Sequence, residues 1–112
     1  MLLTILTPIF NRTKYLSSIY KSLNEQEYKD FEWLIIDDGS TESCEHFFLE
    51  LQNKKELNSF PIHYYRKENG GKHTAINRGV REANGELILI LDSDDTLPSD
   101  SLTTIVQYYE QC

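Results

Sequence analysis

Gly85-Glu86-Leu87-Ile88-Leu89-Ile90-Leu91-Asp92-Ser93-Asp94-Asp95 decides the fold. An unbroken aliphatic run, residues 87–91, ends in a cluster of carboxylates. A strand with one wet face alternates apolar and polar side chains, whereas an unbroken run suits a strand covered on both faces of a parallel sheet. Three further short runs, residues 2–6, 31–36 and 62–65, are rich in aliphatic or aromatic residues, and the first two are also nearly continuous. Between and after the runs lie stripes at i, i+3, i+4 and i+7: Leu16, Ile19, Tyr20, Leu23; Cys44, Phe47, Phe48, Leu51; Ile76, Gly79, Val80, Ala83; and Leu102, Ile105, Val106, Tyr109. Each stripe buries one helix face. The small residues of the third predict close packing on the sheet, and Gly85 reads as its helix stop. The order βαβαβαβα predicts an α/β fold: a Rossmann-like open, mainly parallel sheet flanked by helices.

The 112 residues make one domain, and 39% hydrophobic with 12% aromatic residues suffices for a core. The charge of −7, from 11 Lys+Arg and 18 Asp+Glu, argues against nucleic acid as a partner. The apolar runs are too short to span a bilayer, and the first six residues read as a strand rather than a signal peptide. Cys44 and Cys112 have neither metal-ligand nor disulfide-framework spacing and read as free thiols, which points to the cytoplasm.

Open α/β sheets bind ligands beyond the carboxyl ends of their strands. The sequence places four polar clusters there: Thr7-Pro8-Ile9-Phe10-Asn11-Arg12, Asp37-Asp38-Gly39-Ser40, residues 66–73, and Asp92-Ser93-Asp94-Asp95. Asp92 and Asp94, one residue apart, make an oxygen-rich site for Mn2+ or Mg2+ when substrate phosphate oxygens complete it. Asp37 and Asp38 suit a ribose hydroxyl or a base imide. Gly70-Gly71 admits a ligand close to the backbone, and Lys72 suits phosphate. Each feature has a plainer reading: Asp38-Gly39 as a turn, Ser40, Thr41 or Asn11 as helix caps, Asp94 and Asp95 as turn residues before a Ser99-capped helix, and Lys72 as a wet charge. His46, His63, Trp33, Tyr64 and Tyr65 read as structural or surface residues, His73 as a neighbour of the site, and Lys54-Lys55-Glu56 as a wet helix end.

The segments 7–12, 37–40 and 69–95 together resemble family 2 glycosyltransferases, above all Asn-Gly-Gly-Lys-His-x-Ala-x-Asn-x-Gly followed by Ala-Asn-Gly-Glu, an apolar strand and Leu-Asp-Ser-Asp-Asp. The resemblance covers nearly the whole chain. It implies a truncated A-type glycosyltransferase fold, with residues 1–112 as a single donor-binding domain at the N-terminal part of a longer enzyme. It also implies a metal-assisted, inverting transfer from a nucleotide-diphosphate sugar, a UDP-sugar, to a glycan, lipid or protein acceptor. By similarity, residues 7–10 and Asp38 hold the base, Lys72 and Asn77 lie near the nucleotide, Asp92 faces the ribose and Asp94 the metal, in an Asp-x-Asp motif that includes Ser93. Asp37 and Asp95 flank these positions, and Asn11, Arg12, Asp37 and Gly39 are counted with the nucleotide-sugar-binding residues. Many members carry Arg where this chain has Ile76, so that arginine's role does not transfer. The catalytic base is expected beyond Cys112, membrane association only through segments outside this stretch, and dimerisation through a sheet edge or apolar face left open. Two alternatives stand beside this reading. One is a haloacid-dehalogenase-type phosphohydrolase with Asp92 as nucleophile and Asp94 as acid/base; the other is a non-catalytic nucleotide-binding module.

Overall fold

The computed structural model describes residues 2–42, 45–52 and 60–111, with the side chains of Leu51 and Gln52 outside the description. The readings made for Cys44, Leu51, Cys112 and Lys54-Lys55-Glu56 lie outside these residues.

Four strands, β1 (Leu3–Ile9), β2 (Phe31–Asp37), β3 (Ile62–Arg66) and β4 (Leu87–Ile90), form one parallel sheet in the order β3-β2-β1-β4. The helices are α1 (Leu16–Asn24), entered through a 3-10 turn at Thr13–Tyr15, α2 (Glu45–Gln52), α3 (Lys72–Glu82) and α4 (Ser101–Glu110). β1 and β2 are buried at every position, as their near-continuous apolar runs require. β4 was expected to be covered on both faces, but it alternates: Leu87 and Leu89 pack on the core that α1 and α4 cover, while Ile88 and Ile90 on the opposite face are exposed among the described residues.

Side-chain alternation along the strands makes two cores. Leu3, Ile5, Ile9, Phe31, Trp33, Ile35 and Ile62 pack with Leu16, Ile19 and Leu23 of α1 and Leu102 of α4. On the other face Leu6 and Ile36 pack with Ala75 of α3, flanked by Tyr65 and Ile76. The stripe of α3 is therefore rotated from the sequence reading: Ala75 and Gly79 are buried, Ile76 is half-buried and Val80 is exposed. The expected close approach is present, since a Cβ on Gly79 would overlap the buried Leu6 side chain.

At the amino edge of the sheet, Glu32, the second residue of β2, is fully buried. It accepts the Thr4 hydroxyl at 2.6 Å and the Asn84 backbone N–H and side-chain amide at 2.7 and 3.0 Å. Burial alone would raise its pKa, but these bonds outweigh desolvation and hold the carboxyl below its ordinary value. Thr4 Oγ1 also accepts the Gly85 N–H at 2.9 Å, so the turn from α3 into β4 is tied to β1 and β2. Gly85 is therefore a point of close backbone approach, beyond the extended Ala83 that ends the helix.

Gly79→Ala tests the packing by its sign. On an exposed helix face the change stabilises by about 1 kcal/mol; here the collision with Leu6 should destabilise by about 1–3 kcal/mol in urea unfolding. A more stable variant would contradict the packing.

Candidate functional site

All four strand ends contribute to one cleft of about 460 Å³. Its walls are Pro8, Ile9, Phe10 and Arg12 from the end of β1, Asp38 after β2, Asn69, Gly71, Lys72 and Ala75 from the β3–α3 loop and α3, and Asp92, Ser93 and Asp94 after β4. The position follows from the topology. The chain runs from β1 outward to β2 and β3, then returns through α3 to place β4 on the other side of β1. That reversal leaves a crevice at the carboxyl ends of β1 and β4.

Asp38 is the most densely bonded acid of the cleft. Its Oδ1 accepts Lys67 Nζ at 2.7 Å and Gly70 N–H at 3.0 Å, and its Oδ2 accepts Gly71 N–H at 2.9 Å and Asn69 Nδ2 at 3.2 Å. Burial pushes its pKa upward, but the Lys67 ammonium and the two backbone amides more than compensate, and the carboxyl sits below its ordinary range. The glycine pair was expected to bring backbone close to a ligand; its amides instead close on this carboxylate just ahead of α3, where negative charge is favoured. Gly39 makes this possible: it has φ +78°, and a Cβ there would meet Asn69 N at 2.7 Å.

Across the cleft Lys72 Nζ meets Asp92 Oδ1 at 2.6 Å, with side-chain exposures of 59% and 41%. A pair this wet is worth about 0–1 kcal/mol, so a phosphate can draw Lys72 away at little cost. Asp94 is exposed on the cleft wall and receives no side-chain hydrogen bond from the described residues. No group of three or more His, Cys, Asp or Glu side chains is placed to hold a metal among the described residues. Two carboxylates one residue apart fit a hard cation whose shell is completed by phosphate oxygens and water, and do not make an all-protein cage.

Of the residues singled out from sequence, Pro8, Phe10, Arg12, Asp38, Lys72, Asp92, Ser93 and Asp94 line the cleft, and Thr7, Asn11, Asp37, Gly39 and Asn77 do not. β1 extends to Ile9, so Thr7 is a core residue whose Oγ1 accepts Trp33 Nε1–H at 2.9 Å. Asp37 is the last residue of β2; its carboxylate accepts Ser40 N–H at 2.9 Å and the Tyr64 hydroxyl at 3.0 Å. Asn11, at φ 54°, caps no helix: its N–H reaches Ser40 Oγ at 2.9 Å and its Oδ1 accepts Thr41 N–H at 2.8 Å. Asn77 is exposed on α3. Lys67 and Asn69 carried no role in the sequence reading. Register is the signal that finds Lys67: Asp37 pairs with Arg66, which sets Asp38 beside Lys67 one step on.

The Asp38 clasp has a pH signature. A carboxyl whose folded-state pKa lies below the ordinary 3.8 stabilises the fold above that pH. The stabilisation is lost as pH falls from there through the lower folded-state value. Asp38→Ala, which takes the charge partner from Lys67 and the acceptor from the Gly70 and Gly71 N–H groups, should cost about 3 kcal/mol at neutral pH. In urea unfolding the variant's stability should fall less steeply with acid than the parent's; parallel slopes would contradict the clasp.

The sequence matches the family model described as glycosyl transferase family 2 over residues 4–112. An uncharacterized glycosyltransferase of Rickettsia conorii is 33% identical over 97% of this chain and 17% of its own length. The GalNAc(5)-diNAcBac-PP-undecaprenol beta-1,3-glucosyltransferase of Campylobacter jejuni is 33% identical over 94% of this chain and 33% of its own length. Among solved structures, S. aureus TarS 1-349 in complex with UDP-GlcNAc superposes with a TM-score of 0.82 at 26% identity, over 99% of this chain and 32% of that one. The chain thus spans a third or less of these three proteins. With a family match across nearly all of its residues and the same open parallel α/β sheet as TarS, the chain belongs to glycosyltransferase family 2.

Proposed function

We propose that residues 1–112 form the donor-binding domain of a longer cytoplasmic glycosyltransferase, and that the cleft takes a nucleotide-diphosphate sugar, a UDP-sugar. The observation that carries this reading is the convergence of three chemistries in one crevice: an apolar ring, two cations and a pair of carboxylates. Phe10 is 46% exposed beside Pro8 and Ile9, which is unusual for a phenylalanine and suits a base laid on its face. Arg12 and Lys72 suit the diphosphate. Asp92 and Asp94 would hold Mn2+ or Mg2+; a divalent cation bound there neutralises a diphosphate leaving group. The UDP-GlcNAc complex of TarS supports the donor class.

In the inverting transfer we assign to the whole enzyme, an acceptor hydroxyl oxygen bonds to the anomeric carbon as the bond from that carbon to the diphosphate oxygen breaks. The hydroxyl proton passes to a base that we place outside residues 1–112. Within this chain, Phe10 orients the base, Arg12 and Lys72 hold phosphate charge, and the Asp38 clasp keeps the β3–α3 loop shaped around them. The phosphohydrolase alternative needs Asp92 as a free nucleophile opening a domain; here it follows the fourth strand and is paired with Lys72.

Calorimetric titration with UDP, with and without Mn2+, tests the reading. Binding should tighten when Mn2+ is added, and Asp94→Asn should remove most of that gain while sparing metal-free binding. Phe10→Ala should weaken both by about tenfold, as expected for one lost stacking contact. A folded chain that binds no UDP under either condition would overturn the assignment.

A further inference from the structure

The acidic turn at the cleft is held from a distance by a polar bracket at the end of α1. Gln26 lies two residues beyond that helix, is 1% exposed, and uses both ends of its amide. Nε2 donates to Pro98 O at 2.8 Å and, at 3.3 Å, to Leu97 O and Ser22 O; Oε1 accepts the Leu102 N–H at 3.1 Å. Ser22, also buried, bonds Leu97 twice: its hydroxyl donates to Leu97 O at 2.9 Å and accepts Leu97 N–H at 2.7 Å. The Glu27 N–H adds a bond to Ser99 O at 3.0 Å. These contacts span about 70 residues of sequence and converge on one short stretch, residues 97–102.

The bracket supplies what the stretch lacks locally. Ser99 was expected to cap α4, but the residue at the cap position is Asp100, with no side-chain cap bond, and the free N–H of Leu102 is satisfied by Gln26. The loop from Asp92 to Pro98 is thus pinned at one end by β4, through Leu91 N–H to Leu6 O, and at the other by Ser22 and Gln26. Between the pins, the Asp95 N–H to Asp92 O bond at 3.0 Å closes the turn that carries Asp94. Replacing the buried amide by an apolar group takes away the Gln26 partner of the Leu102 N–H and three carbonyl contacts, leaving Leu97 O to the Ser22 hydroxyl and Pro98 O to the Ser101 N–H, so fewer bonds hold the return of the loop.

We infer that Gln26, seconded by Ser22, is a positioning residue for the Asp92–Asp94 turn. It touches neither cleft nor ligand, and sets the direction of the carboxylates by fixing where the loop returns to the fold. The inference rests on the donor reading above for its functional consequence and on the bracket alone for its structural one.

Two measurements on Gln26→Leu and on the milder Ser22→Ala separate these. In amide hydrogen exchange, the Asp95 N–H, which the bracket does not touch, should exchange about tenfold faster in Gln26→Leu while β1 and β2 amides keep their protection. In UDP titrations, the gain in affinity conferred by Mn2+ should fall about tenfold in Gln26→Leu and about threefold in Ser22→Ala, with metal-free binding within about twofold of the parent. Unchanged exchange at Asp95 in both variants overturns the bracket, whatever the parent binds. Equal loss of metal-free and Mn2+-dependent affinity also overturns it, because a general loosening of the fold would do the same. A parent chain that binds UDP without Mn2+ dependence overturns the metal role of Asp94, one that binds no UDP overturns the donor reading, and in either case the exchange result still decides the bracket.

Discussion

The Asp38 carboxylate is the contact on which the cleft depends. A buried acid is costly unless every lone pair is answered, and here an ammonium, a side-chain amide and two backbone N–H groups answer them. All four donors come from the five residues between β3 and α3, 67–71. One charge at the end of β2 therefore sets the path of the whole β3–α3 loop, the start of α3 and the position of Lys72, its first residue. Lys67 extends the same network to Thr74 at 2.8 Å, on the first turn of that helix.

Polar ties of this kind recur at places where the sheet could otherwise slip. Glu32 secures the turn into β4 at the amino edge, Trp33 reaches Thr7 within the core, and Gln26 with Ser22 holds the loop after Asp92. Among the described residues no buried side-chain nitrogen or oxygen lacks a partner. That complete pairing is what lets charged and amide groups sit at the edges of an aliphatic sheet without loosening it. The ionic contacts differ in kind. Lys67–Asp38 is enclosed and shapes the loop, whereas Lys72–Asp92 stands in water and can exchange partners.

Much of the fold was legible in the chain. Hydrophobic period separates strands from helices, so the four strands and their alternation with helices could be read directly; the unbroken aliphatic run marked cover on both faces correctly for β1 and β2, but not for β4, whose Ile88 and Ile90 are exposed. The limits of the reading were at element ends. β1 continues through Thr7-Pro8-Ile9 because β2 offers it a partner as far as Asp37, and no local feature of the sequence reports that pairing. The α3 stripe was misplaced by one position because Ala75 is small and stands beside Ile76, whose larger side chain gives the stronger periodic signal. The cleft residues that were anticipated stand at strand ends or in the loops that leave them, with Lys72 at the start of α3, where fold topology alone predicts a crevice.

The division of labour between acids was decided only in three dimensions. Asp37 and Asp38 are adjacent and identical in the sequence, yet strand alternation sends one to Tyr64 and the Ser40 turn and the other to the cleft wall. Gln26 had no signal at all, since its partners lie some 70 residues away. The chain by itself determined the order of elements and the edge of the sheet at which polar groups collect, because those follow from residue type and period, and its motifs carried the resemblance to the family. Which side chains face the ligand and which hold the walls depends on register and on long-range hydrogen bonds, and these exist only once the sheet has closed.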